Sequence, residues 1–281
     1  MIKGRSVLAV VSANSGSRGL ARRDLSLLGG KALVAWSIEA ARSSRLIDRV
    51  IVATADLEVA QAASQMGAEV PFRAADPGDE GGYEDFIDQA RGGSRQSGIL
   101  NRWGTCAAEA LHHLPQFDIV VLLDVAAPLR ATIDIDCAIE ICARHDGAPV
   151  VTVSEARVLP QSLVVLDGAR RMQPLLRQRS ENPGGEPMQS TLSPEAKLYV
   201  ISSAIAVVSR HYLQNSGYLK LEEMHAYILP AERALLIERK TDLSAAEGII
   251  QRMGLTDASA PTPFAAAPPA VQGSEVPETR G

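Results

Sequence analysis

Val7-Leu-Ala-Val-Val11 carries no polar side chain, and it runs directly into Ser12-Ala-Asn-Ser-Gly-Ser-Arg-Gly19, a stretch of small residues with one cation. An apolar run that does not alternate with polar residues reads as a strand covered on both faces, as in a parallel sheet. A buried strand that feeds a small-residue loop bearing cations is one way an α/β protein surrounds a nucleotide phosphate, because backbone N–H groups can approach the phosphate oxygens. Arg18, Arg22 and Arg23 add charge and forked donors. The pattern is neither GxxxxGK(S/T) nor GxGxxG, so the P-loop and dinucleotide mechanisms have no support. A plain strand–loop–helix connection with solvated arginines is the other reading of the same residues.

The rest of the chain repeats the strand-then-helix order. Strands are expected at Val7–Val11, Val50–Ala53, Ile119–Leu123 and Ala148–Val153, and helices at Ala32–Arg42, Leu57–Met66, Trp103–Leu114 and Asp134–Arg144. This alternation predicts an α/β protein with a mostly parallel sheet and helices on both faces. Ser162–Leu166 and Lys197–Val208 look like strands with no crossover helix between them, which suggests a β-rich arm for subunit pairing. Ala226–Leu229, Ala234–Glu238 and a helix over Thr241–Met253 complete the pattern. One domain over residues 1–256 is expected, with the arm at about 160–208 inserted, and a Pro/Ala-rich tail over 257–281 that is expected to be disordered. Residues 76–101 read as an irregular insertion, either a solvated surface loop or a lid or partner contact.

Composition excludes several classes. With 281 residues, 46% of them apolar, the chain has material for a large core, and at 4% aromatics that core must be aliphatic. A net charge of −5 without a Lys/Arg run argues against nucleic-acid binding. No apolar stretch is long enough for a membrane span, and the N-terminus lacks a signal-peptide pattern, so a cytoplasmic protein is expected. Cys106, Cys137 and Cys142 have no CxxC spacing, and the five histidines form no ligand motif. Trp36 and Trp103 are expected in the core and Arg22 as a solvated loop charge.

In an open α/β sheet the ligand sits beyond the carboxyl ends of the strands. The loop after Val11, the segment after Ala53 and Asp124-Val-Ala-Ala-Pro-Leu-Arg130 should therefore meet in one cleft. Seven segments in this order resemble the acylneuraminate cytidylyltransferases: Ser15–Leu20, Gly30–Ala41, Gly67–Phe72, Pro128–Arg130, Asp134–Ile141, Leu229–Arg233 and Asp242–Glu247. The resemblance spans about Val7 to Met253. It implies a Rossmann-like nucleotidyltransferase fold, a homodimer, and Mg²⁺-dependent transfer of CMP from CTP to a sialic-acid-like 2-keto sugar acid, with release of pyrophosphate.

By that resemblance Arg18 and Arg23 are the catalytic cations, and Ala13, Asn14, Ser15, Gly16, Ser17, Gly19 and Asp124 line the nucleotide. Arg130, Gln189, Ser202 and Ser203 face the sugar acid, although Arg130 equally could cap or pair with a neighbouring carboxylate. Glu238 is the expected metal ligand, with Asp124 as a second carboxylate if it points into the cleft. Several positions depart from the family pattern. Ser12 and Ala21 replace prolines, Asn14 an arginine, Arg18 a lysine, and Arg23-Asp24 a Lys-Asn pair. Ala53-Thr-Ala55 replaces Ser-Thr-Asp, and Asp124-Val-Ala-Ala127 replaces Gln-Pro-Thr-Ser. The Arg-Arg-Gln run is reduced to Gln189, Ser202-Ser-Ala-Ile205 stands for Asn-Gly-Ala-Ile, and Leu236-Ile-Glu238 stands for the Asp-Ile-Asp metal site. Asn14 removes a positive charge, Asp24 adds a negative one, and Leu236 offers no oxygen to a hard cation. Alongside an active transferase, the sequence leaves open a catalytically impaired nucleotide- or partner-binding scaffold, and a nucleotidyltransferase for another base or acceptor.

Overall fold

A computed structural model describes residues 1–13, 20–71, 98–156, 158, 164–166, 170–174 and 197–254. Its centre is a six-stranded sheet built from β1 (Val7–Ser12), β4 (Arg49–Ala53), β5 (Ile119–Asp124), β6 (Val150–Glu155), β9 (Tyr199–Ser209) and β10 (His225–Ile228), in the order β10-β6-β9-β5-β1-β4. β1 lies parallel to β4 and β5, and β10 parallel to β6, while β9 runs antiparallel to both β5 and β6. Five strands therefore share one direction, and their carboxyl ends share one edge.

Side chains alternate along β1 between two cores. Val7, Ala9 and Val11 belong to a cluster that takes in α1 (Leu33–Arg42), α2 (Leu57–Gln65), α4 (Thr132–Arg144) and α6 (Lys240–Arg252). Leu8 and Val10 belong to the opposite cluster, covered by α3 (Gly98–His113) and α5 (Arg210–Ser216). The unbroken apolar runs are thus strands covered on both faces, as the sequence predicts. Trp103 lies in the second core and Trp36 packs on the edge of the first.

The second half corrects one expectation. The strand expected to belong to an arm, Lys197–Val208, is β9, and it occupies the middle of the main sheet between β5 and β6. Ala204 through Val208 are buried without alternation, so this segment needs cover on both faces and partners on both edges. Outside the main sheet lies a ribbon of β7 (Val164–Leu166) and β8 (Met172–Pro174), which is the part of the expected arm found among the described residues. The helix expected from Trp103 begins at Gly98, inside the expected insertion; the insertion through residue 97 and the tail from 255 lie outside the described residues.

A short hairpin, β2 (Leu27–Leu28) and β3 (Lys31–Ala32), precedes α1. Its turn needs glycine at position 29, where φ is +57° and an added Cβ would stand 2.7 Å from Ile250 Cδ1 of α6. Glu247 of α6 accepts the Gly29 N–H at 2.9 Å, so the terminal helix clasps the hairpin. Among the described residues no helix is long and apolar enough to cross a membrane.

Candidate functional site

Register places the site. Ser12 at the end of β1 pairs with Ala53 on one side and Asp124 on the other, so three strand ends lie in one row. The Ala13 N–H donates to the Ala53 carbonyl at 3.0 Å, and the Val125 N–H to the Ser12 carbonyl at 3.3 Å, so the row persists as the chains leave the sheet. The β5–β9 register ends at Leu123–Ile205, which sets Ser203 and Ser202 on the carboxyl side of β5. The chain after β10 returns to the same edge, where the Ile237 N–H donates to the Ala126 carbonyl at 2.7 Å. Ala13 after β1 and the segments leaving β4, β5 and β10 therefore converge, as expected for a ligand cleft of an open α/β sheet.

Each expected residue has a definite place or falls outside the description. Ala13 is buried, and its N–H is spent on Ala53. Asn14, Ser15, Gly16, Ser17, Arg18, Gly19 and Gln189 lie outside the described residues. Arg23 opens a 3₁₀ turn, Arg23–Leu25, and its Nε lies 3.1 Å from Asp24 Oδ1. Asp124 closes β5, and its Oδ1 accepts the Ala126 N–H at 2.9 Å. Ser202 and Ser203 are buried, the Ser202 hydroxyl accepting the Ala204 N–H at 3.3 Å and the Ser202 carbonyl accepting from Thr152 Oγ1 at 2.9 Å. Glu238 is exposed, and its backbone N–H donates to Asp242 Oδ2 at 3.0 Å.

Arg130 faces inward. It is 3% exposed, with Nη1 donating to the Asp124 carbonyl at 2.7 Å and to the Ala127 carbonyl, and Nη2 donating to Ser37 Oγ of α1. Burial pulls its pKa down to about 10, partly opposed by Asp124 and Asp134, so it stays charged at neutral pH. Here the guanidinium braces the loop after β5 against α1. Arg22 is not an isolated charge either: it forms an ion pair with Glu58 on α2.

Two acidic groups are buried beyond the residues that the resemblance assigns to the site. Asp24 is fully buried, and burial, opposed by Arg23 and reinforced by Asp124 and Asp56, raises its pKa to about 6. Its Oδ2 has no hydrogen-bond partner. Asp134, at the head of α4, is also fully buried; Oδ2 accepts the Ala131 N–H at 2.8 Å, and Oδ1 meets Tyr227 Oη at 2.9 Å and Arg233 Nη2 at 3.2 Å. Asp56, not singled out from the sequence, caps α2, with Oδ1 accepting the N–H groups of Glu58 and Val59; an aspartate directly before the expected Leu57 helix is the signal for it. Cys142 is no nucleophile, since burial raises its thiol pKa to about 12.

The described residues do not by themselves form a site for a divalent ion. Among the described residues no group of three His, Cys, Asp or Glu side chains comes together to hold a metal. Asp124 spends one oxygen on a backbone N–H, and Leu236 packs against the core.

A mixed, mainly parallel sheet whose strand ends meet at one carboxyl edge defines an α/β protein with a Rossmann-like fold. The solved structure of a CMP-2-keto-3-deoxy-manno-octonic acid synthetase complexed with CTP has this fold: the TM-score is 0.58 at 16% identity, covering 88% of this chain and 99% of that one. The cytidylyltransferase family model matches residues 8–79. Post-translational flagellin modification protein B of Campylobacter coli is 23% identical over 252 residues, covering 89% of this chain and 97% of that protein. CMP-N,N'-diacetyllegionaminic acid synthase of Legionella pneumophila is 30% identical over 158 residues, covering 55% of this chain and 60% of that protein. The chain is thus similar to cytidylyltransferases, one of them named for a legionaminic acid.

Proposed function

We propose that this chain binds CTP at the carboxyl edge of its sheet and transfers CMP to a sialic-acid-like 2-keto sugar acid. The anomeric oxygen bonds to the α-phosphorus, the bond from that phosphorus to the β-phosphate bridge breaks, pyrophosphate leaves, and the hydroxyl proton passes to solvent. What carries this reading is the meeting of the Ser12–Ala13, Asp124 and Ile237–Glu238 segments at one edge of a nucleotidyltransferase fold. Arg18 and Arg23 supply positive charge to the phosphates, and Ser202, Ser203 and Gln189 are on the sugar-acid side. Such a step depends mostly on charge handling and alignment of the attacking oxygen. Magnesium enters this proposal as the ion a triphosphate carries, with Glu238 as the carboxylate left in the 236–238 stretch. A homodimer belongs to the proposal too, with Tyr199 and Val200 at the start of β9 and Ile228 on the edge strand β10 as exposed apolar residues.

A second reading, a nucleotide- or partner-binding scaffold without turnover, is favoured by Leu236 and by the inward-facing Arg130. Pyrophosphate release with CTP, Mg²⁺ and a panel of 2-keto sugar acids separates the two. Robust turnover of one acid is expected from the transferase. CTP binding without turnover on any of them overturns it in favour of the scaffold.

A further inference from the structure

Asp24 is the one carboxylate among the described residues that has a buried oxygen without a partner. Its side chain is 0% exposed, so bulk solvent does not reach it. Among the described residues, three charged groups act on it: Arg23 from its own turn, Asp56 from the head of α2, and Asp124 from the end of β5. Two of the three repel its negative charge. α1 also packs on the turn, but no charged group of that helix acts on Asp24. Among the described residues, the carboxylate is thus held ionised against burial and two like charges by one guanidinium, through a contact at 3.1 Å.

That contact has a competitor at this edge. The 3₁₀ turn follows directly on the loop that leaves β1, where the proposed function seats the phosphates. A phosphate oxygen beside Arg23 attracts the guanidinium more strongly than a half-satisfied carboxylate does, because the phosphate brings more charge and a forked geometry. Drawing Arg23 away removes the attraction that keeps Asp24 ionised, and the phosphate adds negative charge nearby. Both changes favour the protonated acid.

We propose that Asp24 is a positioning residue that exchanges Arg23 for a proton: when the phosphates of a nucleotide engage Arg23, Asp24 takes up one proton from solvent and stays in place as a neutral acid. The inference rests on the CTP reading given above. The proton balance is one taken up per nucleotide bound, with no bond to the ligand formed or broken. A neutral acid offers one donor and one acceptor, the same pair as the amide of asparagine. Asp24→Asn therefore mimics the bound form in advance.

The sign follows from linkage. A proton taken up on binding makes affinity fall as pH rises, by up to about tenfold per pH unit between the free and bound midpoints. The terminal phosphate also titrates near pH 6, but that contribution is common to every variant. The test is calorimetric titration of the full chain with CTP at pH 5.5, 7.0 and 8.5, each in two buffers of different ionisation enthalpy. The wild type is expected to take up about one proton more than Asp24→Asn at neutral pH, and to bind CTP about tenfold more weakly than that variant at pH 8.5. At pH 5.5 the two should agree. Asp24→Ser provides a second variant without the titrating group, and a thermal melt of each confirms folding. Equal proton uptake and parallel pH profiles in wild type and both variants would overturn the proposal while leaving the CTP reading standing. No CTP binding by any of them at any pH would overturn the CTP reading, and this inference with it.

Discussion

The Ile237 N–H donates to the Ala126 carbonyl at 2.7 Å, which ties the segment after the last strand to the loop leaving β5. The Ile237 side chain is 0% exposed and packs in the core on the α1 face of the sheet. One residue thus anchors by backbone and by burial the stretch that ends at Glu238. Ile237→Ala keeps the hydrogen bond but removes the anchor, and an Ile-to-Ala change in a packed core costs about 2–5 kcal/mol. The urea midpoint should fall accordingly with an unchanged m-value. A loss below about 1 kcal/mol would mean that the segment is not held by this side chain.

Asp24 makes stability depend on pH in a definite direction. Its pKa is raised from 3.8 to about 6, so between those values the native state holds more protons than the unfolded chain. Stability therefore falls as pH rises through that window, and the penalty is complete above about pH 6. The displacement corresponds to about 3 kcal/mol at most. Asp24→Asn removes the penalty. It should raise stability by about 1–3 kcal/mol at pH 8 and give little gain at pH 4. Urea denaturation of both proteins at the two pH values decides it, and an equal gain at both would rule out the buried charge as its source.

How far this cleft was legible depends on what each residue does. Val7–Val11 and Ile119–Leu123 declared themselves because a strand covered on both faces has no other composition available to it. Lys197–Val208 was equally legible as a strand but not as a member of the main sheet, since an antiparallel strand inserted between two parallel ones leaves no local mark. Arg130 reads both as a ligand contact and as a cap or pair for a neighbour, because sequence gives the charge and not the direction; its partners are two carbonyls and a serine on another element. Asp134 and Tyr227 lie 93 positions apart, so no spacing rule joins them. The Asp56 cap could have been found, because a cap acts on residues two and three positions away.

Arg130 provides a direct test of the bracing role. Arg130→Met keeps much of the apolar stem while leaving the carbonyls of Asp124 and Ala127 without this donor in a buried place. An unpaired buried polar group costs about 1–3 kcal/mol. The variant should lose at least that much stability in the absence of any ligand, by chemical denaturation. Arg130→Lys should recover part of the loss, because one ammonium can serve a carbonyl but not the whole fork. Unchanged stability with weakened binding of the sugar acid would instead assign the guanidinium to the substrate.

The cluster of Asp134, Tyr227 and Arg233 joins the head of α4 to the turn after β10. Burial raises the Asp134 pKa, while Arg233, the Ala131 N–H, Tyr227 and Arg130 act to lower it. Tyr227→Phe removes one hydrogen bond and leaves the carboxylate with Arg233 and the Ala131 N–H, at a cost of about 1 kcal/mol. Asp134→Ala strips Arg233 of its buried partner and the helix of its first-turn acceptor, and breaking a buried pair from one side costs about 3–5 kcal/mol. Because both changes act on the same carboxylate, they should not add. Once Asp134 is alanine, Tyr227→Phe has no bond left to remove and should cost about 1 kcal/mol less than it does alone, within the coupling range of residues in contact. A double-mutant cycle by urea denaturation measures this. Strict additivity would mean that the tyrosine hydroxyl and the carboxylate do not share a bond in solution, and that Arg233 alone holds the turn against α4.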